Sequence, residues 1–164
     1  MPSHVKPIPQ GFRSVTPYLT LSDAARALDF YKRAFGAQEV MRMDGPGGKI
    51  GHAEIKIGDS MIMLADEMPG SASRSPQSLG GSTAGVFLYV ENVDTIFNQA
   101  VSGGAQVVSP LEDMFWGDRF GTLKDPFGHI WSVATHKEDV APAEMSKRMQ
   151  EFAAKRMQQS KSAH

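Results

Sequence analysis

Two short stretches concentrate the side chains that can do chemistry. In HAEIKI, residues 52–57, His52 and Glu54 stand two apart. In an extended chain that spacing puts both on one face, opposite Ala53 and Ile55. An imidazole and a carboxylate so placed can supply two ligands to a divalent metal, serve as general acid and base near neutral pH, or form an ordinary pair on a half-exposed sheet. The second stretch is Phe115-Trp116-Gly117-Asp118-Arg119. A planar guanidinium fork matches a carboxylate or a phosphate, and flanking rings can hold a planar group or shield the charge. The alternative is that Arg119 braces its own loop through Asp118 or the backbone. His129 and His136 stand singly and read as structural. The chain has no cysteine, which removes disulfides, thiolate metal sites and a cysteine nucleophile. It also lacks a phosphate loop of the G-x-x-x-x-G-K-[ST] kind, because DGPGGK joins strands, and it lacks a G-x-S-x-G elbow.

Regular elements must position these residues. Val15, Pro17, Leu19 and Leu21 alternate with polar positions, which predicts a strand over 13–21 in which Pro17 is tolerated only at an edge, a start or a bulge. Ser22 or Asp23 caps a helix with Ala24, Leu28, Tyr31 and Phe35 on one stripe, and Gly36 stops it. A strand at Gln38–Met43 and a hairpin of 52–57 with 61–65, turning at Gly58-Asp59-Ser60, complete a strand-helix-strand-strand-strand unit. The serine-, glycine- and proline-rich run 67–84 reads as a linker or mobile flap. Residues 86–108 then lie over the first strand and helix, and 120–135 over the 51–66 hairpin at an offset of 69, so the unit occurs twice. The expected organisation is an extended lead-in (1–11), a first module (12–66), the flap (67–84), a second module (85–140) and a helical tail (141–164). In the tail Met145, Met149, Phe152 and Arg156 form a stripe that docks on its own chain or on a partner.

Net charge is −1 from 17 basic and 18 acidic residues, so no global field attracts nucleic acid. No apolar run reaches membrane-spanning length, and MPSHVKPIPQGF lacks the apolar core of a signal peptide, so the protein is read as cytoplasmic with no membrane partner.

The order of elements, together with DAARALDFYKRAFG and KDPFGHIWSVATH, resembles the vicinal oxygen chelate superfamily, which holds glyoxalase I, bleomycin-resistance proteins, fosfomycin-resistance enzymes and extradiol dioxygenases. GKIGHAEIKIGDSMIML and MFWGDRFGTLKDPFGHIWSVATHKEDV look like its PhnB-like branch. The resemblance implies an α+β fold of two βαβββ modules curled into an incompletely closed eight-stranded mixed barrel, here with a C-terminal helix, often within a homodimer. It also implies a divalent ion held from the first and fourth strands of each module. Carried across, those places are Thr16 and Met63, then Gly85 and Ser132, and 85 − 16 and 132 − 63 both give 69. Hydroxyls, a thioether and a glycine are not a ligand set for such an ion.

If those four positions face inward, pleat alternation adds Tyr18, Thr20, Met61, Phe87, Tyr89, Ile130 and Ala134 to the same face, and turns Leu19, Ile62, Leu64, Leu88, Trp131 and Val133 toward the helices. The expectation is a protein that binds a small, mostly apolar organic molecule through Tyr18, Met63, Phe87, Tyr89, Trp116, Arg119 and Ser132, with no cofactor assigned. The alternative is a metal-dependent lyase or dioxygenase with a displaced site around His52 and Glu54.

Overall fold

A computed structural model of the chain describes residues 5–162. The first four residues of the expected lead-in and the last two of the tail lie outside the described residues. Two four-stranded mixed sheets carry the fold. The first runs in the order β1 (Tyr18–Leu21), β4 (Ser60–Asp66), β3 (Ile50–Ile57), β2 (Gln38–Asp44). The second repeats this order with β5 (Gly85–Tyr89), β8 (Ile130–His136), β7 (Asp118–Lys124) and β6 (Gln106–Asp113). In each sheet the first strand pairs parallel with the fourth and the remaining pairs are antiparallel. Neither sheet closes on itself, in keeping with the α+β, incompletely closed double βαβββ architecture.

Helices α1 (Ala24–Phe35) and α3 (Val93–Ser102) cover one face of each sheet and pack against each other. Asp23 caps α1 by accepting from the Arg26 amide at 3.1 Å, and Asn92 caps α3 from Thr95 at 3.1 Å. Gly36 ends α1 in the left-handed region, φ 66°, where a side chain would be strained. The expected helix-facing residues Leu19, Ile62, Leu64, Trp131 and Val133 are buried, joined by Tyr31, Phe30 and Phe35.

The first strand is shorter than the alternation predicts. It begins after Pro17, which cannot donate to the ladder but still accepts from the Met63 amide at 2.9 Å. The constant offset also needs correction. Glu54 pairs with Met63 and Thr122 with Ser132, so the third strands are related by 68 and the fourth by 69. The extra residue lies in the turn after β7. There Asp125, buried, accepts from the Phe127 and His129 amides, both at 2.9 Å, from Trp131 Nε1 at 3.0 Å and from the Tyr31 hydroxyl of α1 at 2.7 Å. Burial, and then the Asp125 carboxylate, push the Tyr31 phenol well above its ordinary value. This turn therefore fastens one module to the other, as does His129 Nε2, 2.9 Å from the Thr20 carbonyl oxygen.

The segment between the modules contains a four-residue helix, α2 (Pro76–Leu79), and is pinned by Glu67. Its carboxylate accepts from Arg74 Nε at 2.5 Å, the Ser78 hydroxyl at 2.7 Å and the Ser75 amide at 2.8 Å. The hydrogen bonds from Ser78 and Ser75 hold that carboxyl down at about 2. The last helix, α4 (Pro142–Ser162), is joined to module two by Arg148 on Glu138 and by Phe152 on Phe115, ring centroids 5.3 Å apart.

Candidate ligand-binding site

The faces of the two sheets turned away from α1 and α3 hold nearly all the predicted site residues. On the first, register places Tyr18 beside Met63, Met63 beside Glu54 and Glu54 beside Met41, with His52 next along opposite Met43. Residues directly opposite in a ladder share a face, and diagonal neighbours remain within reach of long side chains. Tyr18 thereby meets His52. Its hydroxyl lies 2.8 Å from Nδ1, with the rings 5.5 Å apart, and His52 Nε2 lies 3.3 Å from Glu54 Oε1. Tyr18 is 51% exposed, whereas the side chains of His52 and Glu54 keep only 21% and 16% of their surface. The phenol thus caps a half-buried imidazole–carboxylate pair.

On the second sheet the corresponding row is Phe87, Ser132, Thr122 and Ser109, and the next is Tyr89, Ala134, Phe120 and Glu112. Phe87 stacks on Phe120 at 5.6 Å and tilts against Tyr89 at 5.0 Å, and Trp116 meets Phe120 edge-on at 5.7 Å. Thr122 Oγ1 and Ser132 Oγ are 3.3 Å apart. At the rim Asp118 is buried and accepts from the Tyr89 hydroxyl at 2.8 Å, Trp116 Nε1 at 3.0 Å and His136 Nδ1 at 2.7 Å. Burial pushes the Asp118 carboxyl up, but the hydrogen bonds from His136, Tyr89 and Trp116 outweigh it and hold it below its ordinary value. The same contact, then Asp139, raises His136. Gly117 is required here. Its φ is 98° and a Cβ would lie 2.1 Å from the Glu138 carbonyl oxygen.

Arg119 is committed elsewhere. Its Nε and Nη2 hold both oxygens of Asp94, at 2.9 and 2.8 Å, and Nη1 reaches Asp113 at 3.3 Å. The loop brace anticipated for Asp118 is therefore made by Asp94 on α3. Thr16 precedes β1 and Gly85 opens β5. A cavity of about 340 Å³ at the seam between the sheets brings Thr16 and Met61 together with Phe87 and Tyr89. A second, of about 310 Å³ and mostly apolar, joins Tyr18 to Gly85, Leu79 and Ile130. Both volumes sit at the small end of the range for organic ligands.

The donor chemistry does not fit the superfamily's metal. Thr16, Met63, Gly85 and Ser132 offer two hydroxyls and a thioether. His52 and Glu54 form the predicted pair, yet they are two donors already engaged with each other and with Tyr18. Catalytic zinc keeps three protein ligands, and among the described residues no group of three or more His, Cys, Asp or Glu is placed to hold an ion.

From sequence Asp118 reads only as a brace for Arg119 and His136 only as structural, and neither Asp139 nor Asp125 carries a site reading. Asp125 stood in plain view as the first residue of a turn. Two of its four donors, however, lie on other elements, and no local spacing announces them.

The model of the glyoxalase/bleomycin resistance protein/dioxygenase superfamily matches residues 12–133. An uncharacterized protein of Mycobacterium bovis is 45% identical over 130 residues, covering 77% of this chain and 86% of that one. The crystal structure of TioX from Micromonospora sp. ML1 is similar with a TM-score of 0.60 and 31% identity, over 74% of this chain and 97% of that one. The PhnB protein of Bacillus cereus has the same fold, with a TM-score of 0.59 at 19% identity, over 75% of this chain and 99% of that one. Among the described residues no helix is long and apolar enough to cross a membrane.

Proposed function

The chain belongs to the glyoxalase/bleomycin resistance protein/dioxygenase superfamily, and from that premise we propose that it binds a small, mostly apolar organic molecule without the superfamily's metal. One observation carries this reading. Large aromatic side chains stand open on the faces of both sheets turned away from the helices, Tyr18 at 51%, Phe87 at 49% and Tyr89 at 60% exposed. Phe87 and Tyr89, rings 5.0 Å apart, form a contiguous exposed patch of the kind that marks a binding site. Phe87, Tyr89 and Trp116 supply flat surface, Ser132 and Thr122 supply hydroxyls, and Met63 supplies an adaptable thioether. Arg119, held by two carboxylates, orders the rim rather than meeting the ligand.

We propose further that the chain is a homodimer, the assembly its superfamily membership favours. Light scattering coupled to size exclusion tests this directly, and a monomer at micromolar concentration refutes it.

The binding reading is tested by titrating an environment-sensitive naphthalene dye. Saturable uptake is expected, weakened about tenfold by Tyr89→Ala or Phe87→Ala, since one well-packed aromatic contact is worth about 1–1.5 kcal/mol. Chelator treatment is expected to leave uptake unchanged. Absence of saturable uptake, or indifference to both substitutions, overturns the proposal.

A further inference from the structure

The hydrogen-bond chain on the first sheet determines more than shape. Glu54, as a carboxylate, can only accept, so the hydrogen between it and His52 belongs to Nε2. In the neutral ring Nδ1 is then bare and acts as an acceptor. The 2.8 Å contact with Tyr18 is therefore made by the phenol donating to Nδ1. Having spent its proton on the histidine, the hydroxyl oxygen of the half-exposed Tyr18 keeps acceptor capacity. It calls for a donor from the ligand.

A hydroxyl backed by an imidazole, itself backed by a carboxylate, is the connectivity by which side chains are activated as bases. The other residues that β1, β2 and β4 place on this face are Thr20, Gln38, Met41, Met43, Met61, Met63 and Ala65, all uncharged, and Lys56 stands two residues beyond Glu54 on β3. Tyr18 also borders the mostly apolar cavity of about 310 Å³, whose ionisable lining groups are Arg74, held by Glu67, and His129, turned to the Thr20 carbonyl. A methionine-rich surface with a single proton-accepting chain fits an apolar body that carries one acidic hydroxyl.

We propose that Tyr18, His52 and Glu54 form a metal-independent proton relay that binds phenols or enols and takes their proton. The ligand's O–H hydrogen passes to the Tyr18 oxygen as the phenol's own hydrogen passes to His52 Nδ1. The O–H electron pair stays on the ligand oxygen, leaving the ligand an anion that accepts from Tyr18, and the imidazolium pairs with Glu54. No oxidant, reductant or metal enters the balance. An amine would meet the same acceptor but would not surrender its proton. The inference rests on the binding reading above and adds to it the chemical class of the ligand and the fate of one proton.

The probe is 4-nitrophenol, whose phenolate absorbs in the visible and whose neutral form does not. Uptake is measured by equilibrium dialysis and ionisation by the absorbance of the bound probe, at a pH where the free probe is mostly neutral. The full chain is expected to bind it as phenolate. Tyr18→Phe, which keeps the ring, is expected to weaken 4-nitrophenol uptake and to lower the bound phenolate fraction at least about tenfold, the loss expected when a hydrogen bond to a charged group is removed. His52→Gln and Glu54→Gln shift ionisation in the same direction. A bound probe that stays neutral in the unmodified chain, or a phenolate fraction unmoved by Tyr18→Phe, overturns the relay while leaving the dye-binding result standing. No uptake of 4-nitrophenol overturns the ligand class. Loss of dye uptake as well overturns the binding reading beneath it.

Discussion

The two modules share a backbone plan and diverge on the face that the plan leaves open. The row that crosses the first sheet is Tyr18, Met63, Glu54, Met41, and its counterpart on the second is Phe87, Ser132, Thr122, Ser109. Module one thus keeps an ionisable chain in the middle of its face. Module two keeps an aromatic face, with its ionisable groups Glu112, Asp118 and His136 toward the edge and the rim. Behind the faces the modules agree. Asp66 at the end of β4 accepts from the Ala24 amide at 2.8 Å, and Thr135 at the matching place on β8 accepts from the Val93 amide at 2.9 Å. Duplication preserves what holds helix to sheet, because those partners are internal to each module, and leaves the open face free to specialise.

The most damaging break is expected at the joint between modules. Asp125→Ala strands three buried donors and one half-buried one at once and should lower unfolding free energy by about 4 kcal/mol, read from urea denaturation. A loss under about 1 kcal/mol would mean that the turn does not tie the modules together. Next in size are the matched helix anchors. Asp66 also accepts from the Ile50 amide at 2.7 Å, so Asp66→Ala should cost about 2–3 kcal/mol, against about 1 kcal/mol for Thr135→Val. Equal costs would erase the asymmetry drawn between them.

The rim of module two should show itself through pH. His136 is raised by Asp118, so what it contributes is fully present below its unfolded value of 6.5 and is lost as pH rises through its higher folded value. Asp118 is lowered, so its contribution is present above its unfolded value of 3.8 and is lost as pH falls through its lower folded value. The stability difference between the unmodified chain and His136→Gln should be widest between about pH 4 and about pH 6.5 and shrink by pH 9. A difference constant across that range would sink the coupling. The smallest effect on stability is expected from giving module one the residue of module two. Glu54→Thr should cost under about 1 kcal/mol, the size of the one hydrogen bond with His52 that it removes. The same variant should abolish ionisation of bound 4-nitrophenol, separating the face from the frame.

Much of the frame was legible beforehand. Asp23 and Gly36 bound α1 because capping is a matter of adjacent backbone groups, and Leu19, Leu64, Trp131 and Val133 turn toward the helices because a strand alternates with period two. His52 and Glu54 were legible as a pair for the same reason. Their third member was not. Tyr18 lies 34 residues from His52 and reaches it only because β4 is inserted between β1 and β3 in the register observed. Arg119 was legible as a fork seeking a carboxylate, but Asp118, its neighbour in sequence, is the wrong one. The strand carries Asp118 inward to Tyr89 and Trp116, while α3 delivers Asp94 to the guanidinium.

The sequence by itself therefore determined the repeat, the caps, the alternation of each strand and the lack of a competent metal-ligand set at the four inherited positions. All of these depend on residue identity and on spacings of a few residues. Tertiary structure alone decided which charged and polar groups meet. Those meetings depend on strand order, register and the packing of α1 against α3, which bring together groups that are dozens of residues apart in the chain.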